Sequence, residues 1–185
     1  MKAKMTAVAC SLMTVSLCLS SCVVTTAQTV RAINDTSTFE IELLTCEKEI
    51  DFTDYQEVPG FGVTGYVTGY YDKKYETNDG TPVEECYVLY SVTPYPDCMS
   101  RNEYVTAICV SDPEVCVFGY SVGDNADDFQ AHLQTEGFEL YESNDRIRRF
   151  EKGKVMLYFG VNPETQTVRE ICVKLEITNV FGIIY

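Results

Sequence analysis

The sequence contains no tryptophan and one histidine, and its 14 basic residues are half as many as its 28 acidic ones. The formal net charge of −14 disfavours nucleic-acid binding, because phosphate backbones are contacted mainly through lysine and arginine. No C-x-x-C pair is present and His132 is the only histidine, so the spacing of an ordinary zinc site is absent. We therefore predict no metal, no cofactor and no nucleic-acid partner.

Signs of catalysis or nucleotide binding are few in the sequence. No nucleophile is paired in sequence with His132, which favours a structural histidine. The stretch "GFGVTG" (60–65) lacks the following helix and Lys-Ser/Thr of a phosphate-binding loop. The stretch "GDNADD" (123–128) fails as a calcium loop, because the twelfth position from Asp124 is Thr135 and not glutamate. These absences predict a protein that is not an enzyme.

The N-terminal segment predicts export. It opens with Lys2 and Lys4, continues through the apolar run "TAVACSLMTVSLCL" and ends in small residues, as a secretory signal peptide does. The run stops after about 14 residues, whereas a membrane-spanning helix needs about 20. A permanent membrane span is therefore disfavoured.

The end of this run, Leu19-Ser20-Ser21-Cys22, resembles the lipobox of bacterial lipoproteins. The resemblance implies cleavage after residue 21 and a diacylglyceryl group on the Cys22 thiol. Two acyl chains of the palmitate kind hold a protein stably on a membrane, whereas one chain holds it only marginally. We expect a lipid-anchored protein on the extracytoplasmic face of the cell membrane. The alternative is an ordinary secretory signal that happens to contain cysteine.

Removal of the signal peptide, residues 1–21, changes the charge of the chain. The remaining residues include 12 basic and 28 acidic ones, a net charge of −16, which argues against a polybasic membrane contact. Residues 22–38 are rich in threonine and small polar residues and lack periodicity, so we predict lipid attachment followed by a tether. We divide the rest into a β-rich first unit, 39–115, and a helix-plus-sheet unit, 116–185.

The cysteine content predicts disulfides. Of nine cysteines, two leave with the signal peptide and Cys22 would be acylated, so six remain. An even number in an exported protein favours disulfides, although sequence does not define their connectivity. In an anaerobic envelope the thiols would instead stay reduced and act as small core residues. The six candidates are Cys46, Cys86, Cys98, Cys109, Cys116 and Cys172.

The folded part has the pattern of an antiparallel sheet. Short runs rich in tyrosine, phenylalanine, valine and isoleucine are separated by turn residues, which is typical of β-strands. One helix is predicted within 121–138, with Asp124 as N-cap and Gly137 just past the C-terminus. Four strands follow the helix. We predict an α+β fold in which one helix packs on a face of an antiparallel β-meander.

Two segments of the chain match two later ones. "VLYSVTP" (88–94) aligns with "LYFGVNP" (157–163), and "YVTAICV" (104–110) aligns with "TVREICV" (167–173). The matches predict two related β-hairpin units in tandem, and the alternative is chance similarity among β-rich sequences. The element order resembles the β-lactamase-inhibitor-protein-like fold, in which helices pack on an antiparallel sheet and two units occur in tandem. That resemblance covers about residues 116–177 and transfers no functional residue.

Two surface features are candidates for binding. Tyr66, Tyr70 and Tyr71 lie in one predicted strand beside glycines, where exposed rings form a platform for a sugar or peptide; otherwise they pack across strands. The only basic cluster, "RIRR" (146–149), is an anion site or a solvated strand. Our main hypothesis is a lipid-anchored protein whose β-rich domain binds an envelope protein or a cell-wall ligand. The alternative is a lipoprotein that binds a glycan or small ligand through the tyrosine-rich strand.

Overall fold

The computed structural model describes residues 26–59, 68–72, 87–94 and 102–176. They form a mostly β, α+β fold built on one antiparallel sheet of eight strands, with two helices. Helix α1 covers residues 26–36 in the described part of the chain, and α2 is Ala126–Thr135. A short 3-10 helix lies at Glu47–Glu49. The strands are β1 (Tyr55–Pro59), β2 (Thr68–Asp72), β3 (Val88–Pro94), β4 (Glu103–Val110), β5 (Glu139–Ser143), β6 (Ile147–Lys152), β7 (Val155–Val161) and β8 (Val168–Leu175).

The strand order is β1-β2-β3-β4-β8-β7-β6-β5, and every neighbouring pair is antiparallel. The sheet therefore consists of two four-stranded meanders that meet at β4 and β8. Strands β1 and β5 form its two edges. The predicted antiparallel sheet is confirmed, and it continues across both predicted units.

The hydrophobic core lies on one face of the sheet. Along β7, buried residues such as Leu157 and Phe159 alternate with half-buried ones, which is the period of two expected for a strand with one face covered. Ile33 of α1 and Phe129 of α2 belong to the same buried cluster as these strand residues. Both helices therefore pack on the same face.

Helix α1 replaces part of the predicted tether. Its Thr29, Val30 and Ile33, three and four residues apart, are buried. The Asn34 side-chain oxygen accepts from the Leu43 N–H at 3.2 Å, and its amide donates to the Leu43 carbonyl at 3.1 Å. The predicted tether over 22–38 is therefore wrong for residues 26–36, and the described chain has one helix more than predicted. Two buried aliphatic residues in a threonine-rich segment are too few to produce a clear helical pattern, so tertiary packing determines this helix.

Helix α2 begins one residue later than predicted. Asn125, and not Asp124, is the N-cap: its side-chain oxygen accepts from the N–H groups of Asp127 (2.9 Å) and Asp128 (3.1 Å). The Asp124 carboxylate instead accepts from the Ser121 N–H at 2.8 Å. Both residue types are good N-caps, so local sequence does not discriminate between these adjacent positions.

The C-terminus of α2 follows the prediction. Gly137 has a φ of +82°, the left-handed conformation that glycine adopts without steric cost. The Phe138 N–H donates to the Leu133 carbonyl at 2.9 Å, and the Gly137 N–H to the Gln134 carbonyl at 3.1 Å. These two bonds are those of a Schellman motif, which ends the helix and leads the chain into β5.

Candidate functional site

The most exposed strand lies at one edge of the sheet. All five residues of β5, Glu139–Ser143, are exposed, and no strand lies beyond it in the described part of the chain. Two adjacent residues, Leu140 (39% exposed) and Tyr141 (68%), are the exposed large hydrophobic residues of that part. An open edge offers unpaired backbone groups, and exposed apolar side chains favour contact with another molecule. We call residues 139–143 the β5 edge.

The β5 edge is irregular at its centre. The register with β6 shifts between Leu140 and Glu142, so Tyr141 has no partner in β6. Bulges of this kind redirect a side chain and increase the local twist. Beside the bulge, the Glu142 carboxylate pairs with the Arg149 guanidinium at 3.3 Å.

Arg148 of β6 fixes helix α2 to this half of the sheet. Its guanidinium donates to the Ala126 carbonyl at 3.0 Å and to the Gln130 side chain at 3.1 Å. It also pairs with the Asp127 carboxylate at 2.7 Å and lies 5.9 Å from the centre of the Phe159 ring. The Arg148 side chain is only 11% exposed, so these bonds form where water competes weakly.

The predicted basic cluster is divided among different environments. Arg146 lies in the exposed turn before β6, Arg148 is buried against α2, and Arg149 pairs with Glu142. Arg148 and Arg149 are consecutive strand residues and therefore occupy opposite faces. The cluster does not form one anion site.

The face of the sheet opposite the helices carries a polar and aromatic group. The Tyr87 hydroxyl donates to the Glu170 carboxylate at 2.6 Å, and the Tyr158 hydroxyl lies 3.9 Å from the Cys109 sulfur. Partial burial raises the pKa of Tyr158, the nearby Glu170 carboxylate raises it further, and Arg149 lowers it. Sequence reasoning missed this group, since Tyr87 and Glu170 are 83 residues apart and only strand pairing brings them together.

Cys109 and Cys172 form a disulfide between β4 and β8, where they lie directly opposite each other with their Cα atoms 4.1 Å apart. These are two of the six cysteines that the sequence offered as candidates for disulfides. Cys46 and Cys116 are free thiols, whereas Cys86 and Cys98 lie outside the described residues. Glu170 lies beside the disulfide, but these sulfurs are not thiolates, so the three residues do not form a metal site.

His132 packs among aromatic rings. Its ring lies 5.3 Å from that of Tyr120 and 6.0 Å from that of Phe118. Beside it is an open groove of about 480 Å³, whose lining includes Tyr120, Asp124 and Asp128. The ring contacts fit the structural histidine predicted from the sequence, and the groove has the polar lining of a site for a hydroxylated or cationic ligand.

The predicted tyrosine platform is only partly described. Tyr66 lies outside the described residues, and Tyr70 and Tyr71 lie in β2 opposite Tyr90 and Leu89 of β3. The side chains of Tyr70 and Tyr71 lie outside the described part of the structure, so the platform stays a prediction.

The proposed lipid-attachment residue, Cys22, and the loop "GFGVTG" lie outside the described residues. Within the described ranges, no helix is both long and apolar enough to cross a membrane. Comparison of the chain with protein-family models, curated proteins and solved structures found no match.

Proposed function

We propose that the protein is a bacterial lipoprotein, anchored to the extracytoplasmic face of the cell membrane through Cys22. Its β-rich domain would bind another envelope protein or a cell-wall ligand, without catalysing a reaction. The observation that supports binding is the β5 edge, where an open strand and two exposed hydrophobic side chains coincide. The lipobox-like sequence at 19–22 supports the anchor.

The anchor is tested by labelling cells with a clickable palmitate analogue. The wild-type protein should incorporate label, and Cys22→Ala should abolish it and release the protein from the membrane fraction. Cys18→Ala is the matched control, because this cysteine lies in the signal peptide and would be removed. Equal labelling of wild type and Cys22→Ala would reject the anchor.

Binding at the β5 edge is tested by photo-crosslinking in intact cells. A photoreactive amino acid replaces Tyr141 or, as a control, Glu164, which is also exposed but lies in the β7–β8 turn. We expect a defined protein or glycan adduct from position 141 and none from position 164. A β-strand edge binds extended segments through backbone hydrogen bonds, so Leu140→Ser should weaken the adduct without preventing it. Absence of any adduct specific to position 141 would contradict the proposal.

We also infer that the two meanders are related units in tandem. The alignment offsets are 157 minus 88, or 69, for the first strands and 167 minus 104, or 63, for the second. The pairs Leu89–Cys109 and Tyr90–Ile108 correspond at these offsets to the pairs Tyr158–Cys172 and Phe159–Ile171. The register shifts also coincide, between Ser91 and Val92 in β3 and between Gly160 and Val161 in β7.

Equivalent residues of the two units also meet at the junction of the two meanders. At the same offset of 63, Cys109 is equivalent to Cys172, and these two residues pair with each other across β4 and β8. If the units are related, a second unit produced alone, residues 116–185, should pair β8 with β8 of another copy. Under oxidising conditions we expect a covalent dimer through Cys172, detected by mass spectrometry. A strictly monomeric, folded 116–185 would count against the tandem relationship.

The second candidate function is binding of a glycan or small ligand. The groove beside His132 supports it, because carboxylates and an aromatic ring line the same open space. If the groove binds the ligand, Asp128→Asn should reduce binding to a glycan array. If the tyrosine-rich strand binds it, Tyr71→Ala should do so instead. Binding to no glycan or envelope small molecule would leave the protein-binding proposal.

A further inference from the structure

The first described residue of α1 is fixed against one end of the sheet. The Lys154 N–H, in the turn between β6 and β7, donates to the Thr26 hydroxyl oxygen at 3.1 Å. The neighbouring Gly153 has a φ of +64°, and a Cβ placed on it would lie only 2.7 Å from the same hydroxyl oxygen. Val30 and Ile33 bury the following turns of the helix. The chain is therefore held from Thr26 onward.

This contact limits the distance between the domain and Cys22. Thr26 is four residues after Cys22, and a fully extended chain advances at most about 3.6 Å per residue. The Cα atoms of the two residues are therefore at most about 14 Å apart, whatever the conformation between them. A lipid on Cys22 would lie close to the β6–β7 turn.

The opposite end of the sheet is well separated from this turn. The Val161 N–H, at the end of β7, donates to the Arg146 carbonyl at 2.8 Å, which joins the β5–β6 turn to the start of the β7–β8 turn. The seven residues of β7 span roughly 20 Å at about 3.3 Å per residue. Helix α2 connects the same two ends in the direction opposite to β7. The Ala126 N–H donates to the Gln166 carbonyl at the far end, and the Lys152 amine donates to the Glu136 carbonyl beside the β6–β7 turn.

Charge distinguishes the two ends less than distance does. Lys154 is exposed in the β6–β7 turn, and a lysine near an anionic membrane surface contributes about 1 kcal/mol of attraction. The Lys152 amine already donates to the Glu136 carbonyl, and the exposed residues Glu136 and Glu139 lie at the same end. At the far end the exposed acidic residues outnumber Arg146, and anionic lipid would repel them. They are Asp124, Asp128, Asp145 and Glu164.

We propose that the anchored domain stands on the membrane with the β6–β7 turn toward the lipid head groups and the β7–β8 turn directed away. This orientation rests on the proposed lipid anchor at Cys22. In this orientation the strands run roughly perpendicular to the membrane surface. The β5 edge therefore faces sideways, toward partners in the same envelope layer. The anchor would thus orient the binding surface as well as localise the protein.

The absence of tryptophan makes a direct test possible, since one introduced residue is the only tryptophan reporter in the chain. Lys154→Trp and Glu164→Trp place it at exposed turn positions at opposite ends of the sheet. The lipidated full-length variants are inserted into phosphatidylcholine vesicles that carry a dansyl acceptor on the head groups. With end-to-end separation of roughly 20 Å, we expect energy transfer at least about threefold greater from position 154. Equal transfer, or greater transfer from position 164, would overturn the orientation.

Two further samples separate the orientation from the anchor. If neither tryptophan variant purified from cells associates with vesicles, the lipid anchor fails. The same energy-transfer comparison is then made with residues 22–185, coupled through the Cys22 thiol to a maleimide lipid. In this sample the other unpaired cysteines are replaced by serine. A flexible insertion of about 12 Gly and Ser residues directly after Cys22 should remove most of the difference, because it ends the restriction on reach. An unchanged difference with this insertion would reject the short connection as the cause.

Discussion

The Cys109–Cys172 disulfide joins the two meanders at the centre of the sheet, and its removal should have a large effect on stability. Strands β4 and β8 share four registered pairs, fewer than the seven in each flanking hairpin, β3–β4 and β7–β8. The double variant Cys109→Ser/Cys172→Ser removes the covalent link at this junction. It leaves two small polar side chains of similar size in its place.

The magnitude follows from the length of chain that the disulfide closes. The two cysteines are 63 residues apart in sequence. Closing a loop of this length lowers the entropy of the unfolded state, which raises the free energy of that state by about 4 kcal/mol. For the roughly 120 residues that the structure describes, with an unfolding entropy of about 2.1 cal/mol/K per residue, this loss corresponds to roughly 15 °C in Tm. The cost of placing two hydroxyls beside Leu89 and Tyr158 adds to this value.

Urea unfolding followed by circular dichroism measures the difference, with and without reductant for the wild-type protein. Cys46→Ser and Cys116→Ser are matched controls, because both residues are half-buried free thiols. We expect a large decrease in the free energy of unfolding for the double variant and for reduced wild type, and small changes for the controls. A double variant as stable as wild type, or free thiols at both positions in freshly isolated protein, would show that this disulfide does not stabilise the fold.

Three further predictions concern local interactions. Arg148→Met should lower the free energy of unfolding by about 2–3 kcal/mol, because it removes charged hydrogen bonds to α2, whereas Arg149→Met should cost under about 1 kcal/mol; chemical denaturation compares them. The raised pKa of Tyr158 means that the unfolded state loses this proton first, so stability should fall as pH rises above about 10, and Tyr158→Phe should reduce that fall in alkaline denaturation curves. A pH dependence unchanged by Tyr158→Phe would contradict this assignment. Gly153→Ala should lower Tm, because its Cβ would meet the Thr26 hydroxyl at a positive φ, and adding Thr26→Ala should restore part of the loss.

Local sequence determined several elements correctly because their causes are local. The β-strand composition, the turn residues and the apolar spacing of α2 predicted an antiparallel sheet with a helix on one face, and Gly137 marked the helix end. The N-cap was wrong by one position because Asp124 and Asn125 are both suitable caps. When two adjacent residues can both cap a helix, local sequence locates the N-cap only to within one position.

The candidate surface was not predictable in the same way. The segment 139–143 alternates no more clearly than other strands, and its exposure depends on its position at the edge of the sheet. Helix α1 forms where threonine and small residues suggested a tether, because Val30 and Ile33 are buried against strands that are distant in sequence. The partner of Cys109 among the remaining cysteines was likewise decided by the register of β4 with β8.

Four properties follow from the sequence alone: the composition, the acidic charge, the strand-rich α+β class and the lipobox-like segment that predicts membrane attachment. The tertiary structure is needed to see which described strand is an open edge, that Cys109 meets Cys172, and that Thr26 is held against the β6–β7 turn. The difference arises from the separation along the chain over which each interaction acts. Residue propensities and caps act over a few neighbouring residues, whereas strand register and helix docking join groups separated by tens of residues.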